Sequence, residues 1–275
     1  MNCVWLSATR PDPEWKRISI LLEVSGEKVA DSFESPEVQE IRRNGGTIFA
    51  IEREDFPAWT GKHNPSETDC AASVITIDHH NPGDPGYGKP PSEYWEASSL
   101  GQVASELLMQ GCRFEISKDW RYAAASDHCP AAAYKNLCPG IDRDVLLKWR
   151  MEEKSEFTRK PVEQLEREVK TAEYWIQRAP FLNLVWPKNV APVFVRDVRG
   201  YKIPQLPEAS LRLGEPVLCT GIPDKNGIKI NLLGDSEGDA VRAFLSVYAK
   251  EVGLVNCYGD PARGFAGGYI PSTAI

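Results

Sequence analysis

The chain has 275 residues, 42% apolar and 26% charged, the balance of a globular protein with material for one large domain or two ordinary ones. Asp and Glu outnumber Lys and Arg by 39 to 32, and the net charge of −7 argues against broad, charge-driven binding to duplex nucleic acid. No apolar run approaches the roughly 20 residues of a membrane span, and MNCVWLSATRPDPEW lacks the basic and apolar regions of a secretory leader.

In chain order, NCVWLSA (2–8) and RISILLEV (17–24) have the apolar, β-branched composition of strands. PEVQEIRRNGG (36–46) predicts a short helix closed by Gly45 and Gly46, and TIFAIE (47–52) the strand after it. VITI (74–77) is the next strand. SSLGQVASELLMQG (98–111) has Leu100, Val103, Leu107 and Leu108 at helical spacing and stops at Gly111. This alternation implies an α/β domain over residues 1–145, with a mostly parallel sheet and flanking helices. In such sheets ligands collect at the carboxyl ends of strands.

Residues 142–179 are charged and helical, with a break at Pro161. Val162, Leu165, Val169, Ala172 and Ile176 share one face of the second half, so 146–179 is expected to be a helical linker. Beyond it, APVFVRDV (191–198), EPVLCTGI (215–222) and GIKINLLG (227–234) predict strands. DSEGDAVRAFLSVYAKEVG (235–253) predicts an amphipathic helix with Val241, Phe244, Leu245 and Tyr248 on its apolar face. Residues 180–275 are therefore expected to form a smaller α+β domain.

Seven widely spaced cysteines, an odd number in a chain of this size, favour reduced thiols and a cytoplasmic location. Cys129 and Cys138, each followed by Pro, read either as part of a zinc site or as small buried apolar side chains.

The strand VITI ends in Asp78, His79 and His80, and the Pro- and Gly-rich stretch from Asn81 to Gly86 follows. Adjacent strand residues face opposite ways, so the three groups can act together only where the strand has ended. Carboxylates and imidazoles on a strand-end loop are the ligands of Mn²⁺, Mg²⁺ or Zn²⁺. A second cluster, AAASDHC (123–129), holds Asp127 and His128, and all four histidines, His63, His79, His80 and His128, lie within 66 residues. Without an ion, each Asp–His pair reads as a capped turn or a core hydrogen bond.

VITIDHH, the helix at 98–111, Asp127 about fifty residues on, and NCYGDPARGFAGGYIP (256–271) together resemble the DHH phosphoesterase superfamily. In that family an associated small domain carries a Gly-rich segment of the form GGGHPxAAG. The resemblance implies a divalent ion, first of all Mn²⁺, with Mg²⁺ or Zn²⁺ as alternatives, on Asp78, His80 and Asp127. It makes His79 an alternative ligand or a partner of a phosphate oxygen. It makes His128 a general acid, with a buried Asp–His pair as the other reading. Lys89, Arg263 and the amides of Gly259, Gly267 and Gly268 are the candidate phosphate contacts, with solvated surface as the other reading of Lys89 and Arg263. The implied activity is hydrolysis of a small phosphorylated or nucleotide-like substrate in a cleft between two domains, with a homodimer as one possible assembly. The alternative is a binding or regulatory protein on the same fold.

The chain departs from the family pattern at identifiable positions. The family's first motif is His-x-x-x-Asp-x-Asp; here Asp12 and Glu14 keep the acidic spacing, but Ala8 stands in place of the His. His63 reads as a replacement ligand or as a solvated loop residue. Glu52, Glu54 and Asp55 are candidates for the acid of the second motif, and Asp260 replaces the His of the Gly-rich segment.

Overall fold

A computed structural model describes residues 2–9, 12–53, 72–185, 191–221, 227–261 and 263–271. The chain forms two compact units, Met1–His128 and Cys129–Ile275. The division falls after His128, earlier than the boundary expected near 145.

The first unit comprises β1 (Cys3–Leu6), α1 (Pro13–Val24), β2 (Val29–Ala30), α2 (Pro36–Asn44), β3 (Gly46–Ile51), β4 (Ala72–Ile77), α3 (Tyr94–Ala97), α4 (Ser99–Met109) and α5 (Lys118–His128). Its sheet has the order β2-β1-β3-β4, and every pairing is parallel. Val4, Trp5 and Leu6 of β1 are all fully buried, as expected of a strand covered on both faces. The register sets Leu6 beside Ala50 and Ile51 beside Ile77. The residues that follow β3 and β4, Glu52 and Asp78, therefore emerge at the same edge of the sheet, where the Glu52 N–H donates to the Ile77 carbonyl at 3.0 Å.

The segment RISILLEV is not a strand but the body of α1. The signal that decides this lies just before it. The Asp12 carboxylate accepts from the Trp15 N–H at 2.7 Å, Pro13 occupies the first turn, and Glu14 follows. Glu14, Arg17, Ile18, Leu21 and Leu22 are buried, while Ile20 and Val24 are 45% and 70% exposed. That is a helical period, and capping plus packing overrides β-prone composition here. Arg17 then ties α1 to α5, its Nε and Nη2 meeting the two carboxylate oxygens of Asp119 at 2.9 Å each.

The second unit comprises α6 (Pro130–Tyr134), α7 (Arg143–Thr158), α8 (Val162–Arg178), β5 (Phe181–Asn183), β6 (Phe194–Asp197), α9 (Leu206–Leu213), β7 (Val217–Thr220), β8 (Ile228–Leu233), α10 (Asp239–Ala243), a π-helical turn (Phe244–Tyr248), α11 (Ala249–Glu251), β9 (Val255–Asp260) and β10 (Phe265–Ile270). Its sheet runs β5-β6-β7-β8-β10-β9, antiparallel except between β6 and β7. Leu184, Val195, Leu218, Ile230, Leu232, Val241 and Phe244 form its core. The helices over 143–178 are part of this unit rather than a separate linker. Glu208 of α9 is buried, accepting from Arg150 Nε of α7 at 2.7 Å and from the Tyr134 hydroxyl of α6. Among the described residues, no helix is long and apolar enough to cross a membrane.

Candidate metal centre

The loop after β4 is organised by Asp78. Its Oδ1 accepts from the N–H groups of His79 and His80 at 2.7 and 3.1 Å and lies 2.6 Å from His80 Nδ1. Its carbonyl accepts from the Gly86 N–H at 3.0 Å and from Gln102 Nε2 of α4 at 3.1 Å. Burial pushes the Asp78 carboxyl up, but the His80 ring and the two amides outweigh it and hold the group below its ordinary value. Asp78, expected as a ligand, is thus occupied in fixing the loop and orienting His80.

Among the described residues, the groups that converge are Glu52, His79, His80 and Asp127. Each offers one ligand atom, and these atoms lie within 4.8 Å of one another. Glu52 comes from the end of β3, the histidines from the loop after β4, and Asp127 from the last turn of α5 rather than from a strand end. His79 Nε2 is 2.7 Å from Asp127 Oδ2. The side chain of His79 is 1% exposed, while those of His80 and Asp127 are 32% and 26% exposed. The cluster therefore has a buried floor and an accessible side. Two carboxylates and two imidazoles form a donor set that can hold a divalent ion of hard or borderline character.

More carboxylates stand behind it. Glu14 is 1% exposed, and its Oε1 accepts from the Leu100 N–H at the start of α4 at 3.1 Å. Glu14 Oε2 and His79 Nδ1 are buried without a hydrogen-bond partner among the described residues, which leaves both able to meet a further group. Burial drives the Glu14 carboxyl well above its usual range, and the charges of Asp127 and Glu52 add to this. Burial, then Asp127 and Asp12, pushes Glu52 up to about 8. Burial and Asp127 also raise Asp12, although the Trp15 amide opposes them. Asp12, Glu14 and Glu52, each raised by the charge of Asp127 as well as by burial, form the environment a divalent cation would relieve.

Asp12 and Glu14, the positions that the family resemblance singles out, both come within electrostatic reach of this centre. Of the three second-motif candidates Glu52 joins the cluster; Glu54 and Asp55, like His63, lie outside the described residues. A scan against protein-family models finds no match, and neither does a search of curated proteins.

The remaining expected residues are placed differently. His128 packs beside His79, with ring centroids 5.2 Å apart, and its Nε2 is 3.3 Å from the Lys89 carbonyl. Lys89 thus meets His128 through its backbone, while its ammonium makes a half-exposed pair with Glu93 at 3.4 Å. In the second unit, Gly259 lies in β9 and Gly267 and Gly268 in β10, so they form a hairpin rather than a phosphate-cradling loop. Their bareness serves packing: a Cβ on Gly267 would overlap the Tyr258 ring, and one on Gly259 would stand 2.8 Å from Ala266 Cβ. Arg263, in the turn between these strands, lines a largely apolar cavity with Pro207, Leu211 and Phe265.

Gly86 closes the loop against the centre. A Cβ there would overlap the Ala97 carbonyl oxygen and stand 2.7 Å from His79 Cβ. Its φ lies outside the left-handed region, so the constraint is steric alone. Gly86→Ala is expected to destabilise the protein by about 2 kcal/mol, the usual cost of overpacking, and to displace His79. Urea unfolding with and without Mn²⁺ checks both; unchanged stability would mean that the loop moves freely away from α3.

Proposed function

We propose that the chain is a divalent-metal-dependent phosphohydrolase of the DHH type, acting on a small phosphorylated or nucleotide-like substrate with Mn²⁺ as its ion. The observation that carries this reading is the convergence of Glu52, His79, His80 and Asp127 within 4.8 Å. The buried Glu14 and the capping Asp12 support it, standing at the acidic spacing of the family's first motif. Glu52, His79 and Asp127 would hold the ion, with Glu14 behind them. A bound divalent ion supplies an acidified water and neutralises phosphate oxygens. Asp78 fixes the ring of His80, and His80, on the accessible side, donates to a phosphate oxygen. His128 sits against the Lys89 carbonyl and packs on His79, which favours positioning over proton transfer to a leaving group.

The test is turnover of phosphomonoesters, short oligonucleotides and cyclic dinucleotides by chelator-treated protein given Mn²⁺, Mg²⁺ or Zn²⁺. Mn²⁺-dependent hydrolysis is expected, together with a rise in melting temperature on adding the ion. A rise without turnover would favour the binding-protein reading, for which Ala8 in place of the first-motif histidine is the supporting observation. With neither response, the metal centre itself is rejected.

A further inference from the structure

We infer that Cys129 and Cys138 form a redox modification site, a dithiol that closes to a disulfide and thereby, through the chain link from Cys129 to His128 and Asp127, weakens the metal centre. The second half of this inference rests on the metal reading; the first does not.

The two Sγ atoms are 3.3 Å apart, and neither cysteine is in a disulfide. Both are buried, Cys129 at 8% and Cys138 at 2% exposure. Their spacing is fixed by the backbone around α6. The Cys129 carbonyl accepts from the Ala133 N–H at 3.0 Å, and the Ala132 carbonyl accepts from the Leu137 N–H at 3.0 Å. Asn136 turns the chain in a left-handed conformation, with φ of 56°. A disulfide needs the sulfurs at about 2.05 Å, so closure requires a movement of only about 1.2 Å. That movement pulls on Cys129, which directly follows His128 and stands two residues after Asp127 in the chain.

The oxidant we assign is a hydroperoxide. The more exposed Cys129 attacks the peroxide oxygen; an S–O bond forms, the O–O bond breaks, and water or an alcohol leaves. Cys138 then attacks the sulfenic sulfur, forming the S–S bond and releasing water. Two thiols give up two electrons and the peroxide takes them. Thiol reductants reverse the step by exchange, so the pair stays open under reducing conditions and closes under oxidative stress.

The sequence offers a direct assay. Trypsin cuts after Arg121, Lys135 and Arg143, so Cys129 and Cys138 fall on separate peptides, 122–135 and 136–143. After hydrogen peroxide the two peptides should run as one cross-linked species, and dithiothreitol should separate them. Full alkylation of both thiols after peroxide, or a cross-link to another cysteine, would overturn the site. Coupling is read separately, as the Mn²⁺-induced rise in melting temperature. That rise should be at least halved in the oxidised protein, while Cys138→Ser should keep it whole before and after peroxide; Cys138→Ala serves if the serine variant does not fold. Cross-linking with an undiminished rise would overturn the coupling. Reduced wild type without any rise would instead reject the metal centre, and with it the coupling, leaving the peptide assay to decide the disulfide.

Discussion

Asp127→Asn should abolish the Mn²⁺-dependent rise in melting temperature and at the same time stabilise the metal-free protein at neutral pH. The two effects have one cause. The Asp127 charge is the largest charge–charge contribution raising Glu14 and Glu52, and it raises Asp12 as well. Asparagine keeps the shape and removes that repulsion, against the loss of the 2.7 Å contact to His79. On the phosphohydrolase reading, turnover should fall further than the roughly 10–100-fold typical of losing a supporting group behind a ligand. Calorimetry with chelator and with Mn²⁺ reads both signs. A less stable apo variant that still responds to Mn²⁺ would make Asp127 a structural partner of His79 and nothing more.

The metal-free protein should lose stability as pH rises from about 5 to about 8, and Mn²⁺ should oppose that loss. Glu52 is raised from 4.5 to about 8. Between those values the folded state binds the proton and the unfolded state releases it, so the slope of stability with pH is negative. Glu14 and Asp12 are raised too and act in the same direction. A divalent ion needs these groups deprotonated, so its stabilising effect grows through the same window. Asp78, which is lowered, has the opposite sign, and its contribution is lost only at lower pH, as its carboxylate takes up a proton. Melting curves across the window, with chelator and with Mn²⁺, should therefore diverge as pH rises. Glu52→Gln should flatten the chelator series; an unchanged slope in that variant would assign the effect to other groups.

The parallel sheet and the strand-end position of Asp78 were legible because apolar runs punctuated by Pro and Gly carry a strong local signal. α1 was not, because its decisive feature, the cap at Asp12, lies five residues before the apolar segment it governs. The centre was legible in part. His79, His80 and Asp127 stand out as residue types, but which acid after β3 belongs with them depends on register. Only the pairing of Ile51 with Ile77 places Glu52 beside the loop. The role of Asp78 was hidden for a related reason: a carboxylate beside two imidazoles looks like a ligand until its oxygen is seen to be occupied by the loop's own amides. The Gly-rich stretch near the C-terminus was ambiguous, because Gly in a close-packed hairpin and Gly in an anion cradle look alike in one dimension.

Glu52 has φ of +48°, a left-handed backbone conformation that suits Gly or Asn far better than Glu. A side chain with a Cβ pays roughly 1–2 kcal/mol to sit there. A procedure that chose residues for this backbone by conformational preference alone would write Gly at 52. Its product would be sturdier than the natural chain and would lack one of the four converging donors, so thermostability is the wrong criterion for selecting variants of this scaffold.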